Sequence, residues 1–119
     1  MNRNQLQKRL TNFAVLVINI TESMPKSLTG KYFAGQLLRS GSAPALHYGE
    51  SQSAESRKDF VHKMSIALKE LRETYVTLTI IHQSQCHKNK TVVTEAIQEC
   101  DELISIFVTS IQTVRKRGL

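Results

Sequence analysis

The stretch Val93–Val114, VTEAIQECDELISIFVTSIQTV, decides the fold. Its apolar residues Val93, Ile97, Cys100, Ile104, Phe107, Ile111 and Val114 step by 4, 3, 4, 3, 4 and 3. A strand sends alternate side chains to opposite faces, whereas this spacing keeps one face of a helix apolar for about six turns. Two other segments carry the same stripe. Leu6, Leu10, Phe13, Val17, Ile20 and Met24 step by 4, 3, 4, 3 and 4, and Val61, Met64, Leu68, Leu71, Tyr75 and Leu78 by 3, 4, 3, 4 and 3. Flanking apolar positions (Leu16; Phe60, Ala67 and Ile81; Ala96 and Leu103) widen each stripe to what a bundle core needs.

Helix boundaries follow from local chemistry. Met24-Pro25 ends the first helix, because the residue before a proline is pushed out of the α region. Ser27 or Thr29 can cap the second helix and Ser53 or Ser56 the third, where Ser56-Arg57-Lys58-Asp59 approximates a capping box. The polar run 83–90 separates the third helix from the fourth, and Arg115, Lys116 and Arg117 before Gly118 suit a helix C-terminus, where cations meet the negative end of the dipole. The spacing predicts helices near 3–24, 28–50, 54–83 and 90–116 in a single domain, residues 1–119. Short connections favour antiparallel neighbours, so the predicted fold is all-α, an up-down-up-down antiparallel four-helix bundle. Within the second helix, GSAPALHYGE (Gly41–Glu50) predicts a kink or restart: Pro44 has no N–H to give the Ser40 carbonyl, and Gly41 adds slack. Gly49 either permits close helix approach or releases the chain into the next turn.

Length and composition set the frame. A chain of 119 residues buries one real core. Sixteen Lys and Arg against ten Asp and Glu give +6, an excess that favours polyanions but bears on association rather than fold. Two cysteines, Cys86 and Cys100, make no disulfide framework; both are expected reduced, in a cytoplasmic protein. The apolar run 13–18 is short, breaks at Asn19 and precedes no cleavage site, and nothing approaches a membrane span. No membrane partner is expected.

Between Gly35 and Thr74 the sequence reads GQLLRSGSAPALHYGESQSAESRKDFVHKMSIALKELRET. Its Gln36-Leu37-x-Arg39-Ser40, Ser42-x-Pro44-Ala45, Tyr48-x-Glu50, Ser56-x-x-Asp59-Phe60 and Leu68-x-Glu70-x-x-Glu73 elements resemble the four-helix-bundle family first found encoded in intervening sequences of bacterial 23S ribosomal RNA genes. The resemblance covers the second and third helices by motif and the first and fourth by pattern. One position departs: His47 stands where the family commonly has Asn, and its charge depends on pH. The resemblance implies a bundle that assembles as a ring-like homo-oligomer, a pentamer. It also implies kinship with the accessory variability determinant of diversity-generating retroelements, which works with a reverse transcriptase and its nucleic acid.

Candidate sites are few. On the third helix Lys58, His62, Ser65, Lys69 and Arg72 step by 4, 3, 4 and 3, one register away from the apolar seam, and a phosphate backbone of RNA or DNA could follow them. The opposing reading is a solvated face, or pairing with Glu95, Glu99 and Glu102 of the fourth helix. No aromatic residues interleave, so any such binding is led by the phosphate backbone. Arg39 suits either an anion or a carboxylate such as Glu50, Glu70 or Glu73. Pro44, His47, Tyr48 and Glu50 are expected to form a structural motif at the kink. His82, Cys86 and His87 lack a fourth ligand, and His82 continues the apolar register, so neither metal nor cofactor is expected. Asp59-x-x-His62 stands alone where a di-metal bundle needs paired motifs, and the chain has no Gly-x-Ser-x-Gly elbow or phosphate-cradling loop. No catalytic residue is assigned and the chain is not expected to be an enzyme. Apolar residues nearly surround helix one at FAVLVI (13–18) and helix four at LISIFV (103–108), a surplus that predicts self-association. The sequence therefore points to a self-assembling basic bundle acting as a nucleic-acid-associated accessory or scaffold. The competing possibility is a protein–protein scaffold that binds no nucleic acid.

Overall fold

The computed structural model describes residues 1–117, and Gly118, the expected helix stop, lies outside the described residues. Four helices follow in order: α1 (Arg3–Glu22), α2 (Leu28–Ser51), α3 (Arg57–Gln83) and α4 (Lys90–Lys116), with no strand among the described residues. Each helix packs on its neighbours in the cycle α1–α2–α3–α4, and the return from α4 to α1 is the thinnest interface. The result is a rod of 49 × 21 × 20 Å.

The caps explain the boundaries. Asn2 opens α1 with a full capping box, its side chain accepting from the Gln5 N–H while Gln5 accepts from the Asn2 N–H. Ser27 caps α2 through the Gly30 N–H, and Asn89 caps α4 through the Val92 N–H. α3 begins at Arg57 rather than 54, because Ser56 takes the capping position and accepts the Asp59 N–H while the N–H groups of Ser53 and Ala54 still turn back to α2. α1 stops at Glu22, and Met24 nonetheless reaches the core.

All six stripe residues of the first segment are buried, and α3 and α4 turn their stripes inward around Leu71, Cys100 and Phe107. His82 is a correction to this register. It lies exposed while Ile81 takes the core position, because the buried seam of α3 runs Val61, Met64, Ala67, Leu71, Thr74, Leu78 and Ile81, and this closer spacing brings the core position one residue ahead of the three–four alternation by the end of the helix. The Gln85 backbone, at φ 56°, then releases the chain from α3.

α2 passes through Pro44 as one helix and does not restart. Neighbouring groups occupy carbonyls along this stretch: Ser40 Oγ and Ser42 Oγ donate to the Gln36 and Leu38 carbonyls, and Gln7 of α1 donates to the Ala45 carbonyl at 3.1 Å. The two glycines differ from expectation in their roles. Gly41 is the close-approach site, where a Cβ would stand 2.7 Å from both methyls of buried Val17 on α1. At Gly49 a Cβ would meet only Gln7, at an ordinary 3.5 Å.

The apolar surplus also sits elsewhere than expected. Val15 and Ile18 of α1 are exposed, but α4 exposes no large hydrophobic residue, because Ile104 and Ile106 pack against the core. Among the described residues the remaining exposed large apolar side chains are Met1, before α1, and those on α2 (Leu28, Tyr32, Leu38, Leu46) and on α3 (Val76, Ile80).

Candidate nucleic-acid interface

The charges of this bundle are decided by which acids each arginine takes. Arg9 of α1 reaches across the thin interface to α4, where its Nε and Nη2 donate to both oxygens of Glu99 at 2.7 Å and Nη2 also reaches Glu102 at 2.9 Å. These hydrogen bonds, that to Glu99 foremost, hold the Arg9 guanidinium charged well above its ordinary range. The two-pronged geometry is the one guanidinium is built for.

Arg39 of α2 takes the acids of α3. Its Nη1 donates to Glu70 Oε2 at 3.0 Å and its Nη2 to Glu73, and the Glu73 hydrogen bond raises its pKa. Of the two roles open to Arg39, anion contact or carboxylate partner, it occupies the second in this structure. Glu50 stays apart from it, 3.8 Å from His47 Nδ1.

These two arginines leave the α3 stripe without a partner. Glu99 and Glu102, two of the three acids that could have faced Lys58, Lys69 and Arg72, bond to Arg9 instead, and the third, Glu95, is exposed with no ion pair. Among the described residues, ion pairs within 4.0 Å involve Arg9, Arg39, His47 and Lys63 only. Lys58, His62, Lys69 and Arg72 are all exposed, and Ser65 between them is half-buried. Lys58 and His62 share a shallow depression with Ser56 and Asp59. Arg72 lines the α3–α4 groove beside Arg115, with Asp101 on its other flank.

A second group of cations was missed in the sequence because it is assembled from three separate segments. Arg57 donates to the Arg117 carbonyl, and Arg3 Nη1 donates to Gln52 at 3.2 Å. These contacts bring Arg3, Arg57, Lys58, Arg115, Lys116 and Arg117 to one end of the rod, where the α3 stripe begins. The one local sign was that three of them crowd the end of the predicted fourth helix.

The α2 motif runs from core to surface, with Glu50 exposed. Pro44 is buried, and Tyr48 is buried with its ring edge-on to Phe107 of α4, centroids 5.9 Å apart. Burial pushes the Tyr48 phenol up. His47 is half-buried. Among the described residues no three His, Cys, Asp or Glu side chains gather as metal ligands: His82 points outward, Cys86 is half-buried and His87 is buried. Both cysteines are free, and Cys100 Sγ donates to the Leu71 carbonyl at 3.2 Å. No helix among those described is long and apolar enough to cross a membrane.

Comparison with known proteins fits this architecture. A search of curated proteins finds no match. Among solved structures, the chain is similar to a protein with unknown function from the S23 ribosomal protein family of Bacteroides thetaiotaomicron. The two are 25% identical and superpose with a TM-score of 0.84, over 94% of this chain and 99% of the other. The sequence also matches the family described as 23S rRNA-intervening sequence protein over residues 2–109. With nearly its whole length matched and the fold shared, this chain belongs to the 23S rRNA-intervening sequence protein family.

Proposed function

We propose that the protein is a non-enzymatic, self-assembling bundle that holds a nucleic-acid backbone along α3 and serves as an accessory or scaffold for it. One observation carries this reading. Glu70, Glu73, Glu99 and Glu102 are engaged by Arg39 and Arg9 and Asp59 pairs with Lys63, so Lys58, Lys69 and Arg72 stand on an exposed helix face with no ion pair within 4.0 Å among the described residues. From Lys58 to Arg72 the stripe runs ~21 Å at 1.5 Å per residue. At one phosphate per ~3.4 Å along a duplex strand, that length faces roughly six phosphates. The basic end formed by Arg57 and Arg115–Arg117 extends it. Self-assembly is supported by the apolar side chains left in water, Val15 and Ile18 on α1 and Leu38 and Leu46 on α2. A ring of copies multiplies the +6 of one chain into a field strong enough to hold a polyanion.

The test is a filter-binding titration of RNA and of duplex DNA over a range of salt concentrations. Replacing Lys58, Lys69 and Arg72 by Gln removes three phosphate contacts and lowers the slope of log K against log salt on duplex by about 2.7. An unchanged slope removes α3 from the interface, and absence of binding by the unaltered protein leaves the protein–protein scaffold as the function. Sedimentation checks assembly independently: a monomer at every concentration defeats it.

A further inference from the structure

Along the seam between α3 and α4 two hollows follow one another, of about 410 and 220 Å³, and Arg72 lines both. Their lining is largely apolar, with Tyr75, Val76 and Ile104 in the first and Leu68, Val108 and Ile111 in the second. Opposite charges mark the two parts, Asp101 in the first and Arg115 in the second. Both are exposed, and neither has an ion pair within 4.0 Å among the described residues. A groove that is apolar along its length and oppositely charged towards its ends fits the face of an amphipathic helix.

The chain carries a helix face of that description. On α1, Lys8, Thr11, Val15, Ile18 and Glu22 step by 3, 4, 3 and 4, and all five are exposed. They lie opposite the buried stripe of Leu6, Leu10, Phe13, Val17 and Ile20. Val15 and Ile18, in the middle, are 51% and 40% exposed. Lys8 and Glu22, at the ends, have no ion pair within 4.0 Å among the described residues.

The two surfaces match in spacing. Lys8 and Glu22 are 14 residues apart, as are Asp101 and Arg115, so each pair spans ~21 Å at 1.5 Å per residue. Laid parallel to α4, an α1 helix brings Lys8 to Asp101 and Glu22 to Arg115. The same register sets Thr11 level with Ile104, Val15 with Val108 and Ile18 with Ile111. Reversed, the helix sets Lys8 against Arg115 and Glu22 against Asp101, two like-charge contacts that oppose that direction. Within its own bundle α1 is already packed on α2 and α4 with these residues outward, so the occupant is a second copy.

We propose that the outer face of α1 of one copy seats in the α3–α4 groove of the next, parallel to α4, with Lys8 on Asp101 and Glu22 on Arg115. This rests on the self-assembly reading and supplies its contact. Ridge and groove are different surfaces of one chain, so the contact is head-to-tail. Each copy gives its ridge to one neighbour and its groove to another, which builds a closed ring or a filament. Lys58 and Lys69 of the basic stripe line neither hollow and stay outside the contact, and Arg72 alone belongs to both.

Sedimentation velocity of the full chain over a concentration series, with these charges reversed, tests the contact. Lys8→Glu or Asp101→Lys, each at an exposed position, turns an attractive pair into a repulsive one and weakens association roughly tenfold. The two changes together restore the pair with its signs exchanged, and association returns to that of the parent. Recovery in the double variant separates lost pairing from misfolding. Glu22→Lys and Arg115→Glu behave alike at the other end. If the parent assembles but single reversals leave association unchanged, or the double variants fail to recover, this register is overturned, self-assembly stands and the groove is left to another occupant. A parent that stays a monomer at every concentration overturns both.

Discussion

Gly41→Ala places a methyl group where α1 and α2 touch. Its carbon would stand 2.7 Å from Val17 Cγ1 and 2.7 Å from Cγ2, about 1 Å inside ordinary carbon contact. Val17 is fully buried and branched at Cβ, so rotating χ1 moves one methyl out of the way only by driving the other in. Overpacking of this kind costs about 1–3 kcal/mol. The gain in helix propensity from Gly to Ala offsets about 1 kcal/mol, leaving a net loss of up to ~2 kcal/mol. Val17→Ala alone removes two buried methyl groups, about 1.6 kcal/mol of transfer energy, and the unfilled space brings the cost to about 2–3 kcal/mol. In the double variant the methyl introduced at position 41 fills that space, so the pair should be at least ~1 kcal/mol more stable than the sum of the single changes. Thermal unfolding at one fixed protein concentration reads this as roughly 4 °C per kcal/mol. A Gly41→Ala protein more stable than the parent, or strictly additive effects in the double variant, would refute the packing argument.

Two other glycines bracket the effect. Gly35→Ala should stabilise by about 0.5–1 kcal/mol in urea unfolding, since nothing lies within 4 Å of its Cβ position and the helix gains propensity. Gly30→Ala should cost more than ~2 kcal/mol, because its Cβ would overlap the Pro25 carbonyl, a backbone group that yields only if the α1–α2 turn is rebuilt. Burial above all, helped by Asp101 and Glu99, pushes the Cys100 thiol up to about 12, so a disulfide reagent near pH 8 should label Cys86 and spare Cys100 until the protein unfolds. The unfolded thiol titrates near ~8.5, below the folded value, so the stability it adds is complete below that pH and is lost as pH rises toward about 12. The fall in urea midpoint between pH 8 and pH 10 should therefore be steeper in the parent than in Cys100→Ala.

Much of the fold was legible because it is local. A helix carries its own register, so the stripe in Val93–Val114 and its counterparts in α1 and α3 gave the elements without knowledge of their neighbours. Ser27 and Ser56 were readable as caps for the same reason: a cap bonds within its own first turn. Even the partners of Arg39 could be narrowed to three acids, of which Glu70 and Glu73 are used. The motif in Gly35–Thr74 added the family.

The candidate interface was less legible. Its free charge depends on Arg9 taking Glu99 and Glu102, residues 90 and 93 positions away, and nothing in the periodicity of α1 or α4 specifies how far each rod is rotated toward the other. The basic end gathers Arg3, Arg57 and Arg117 only because antiparallel packing lays distant segments side by side.

By itself the sequence determined four helices, cap candidates for the second and third, and the face that the first, third and fourth must bury, since those follow from a repeat of 3.6 residues and from bonds that close within a turn. Only the tertiary structure decided which glycine lets two helices touch and which acids neutralise which arginines. Those outcomes depend on crossing angle and axial rotation between rods, quantities that belong to pairs of helices and not to any one stretch of chain.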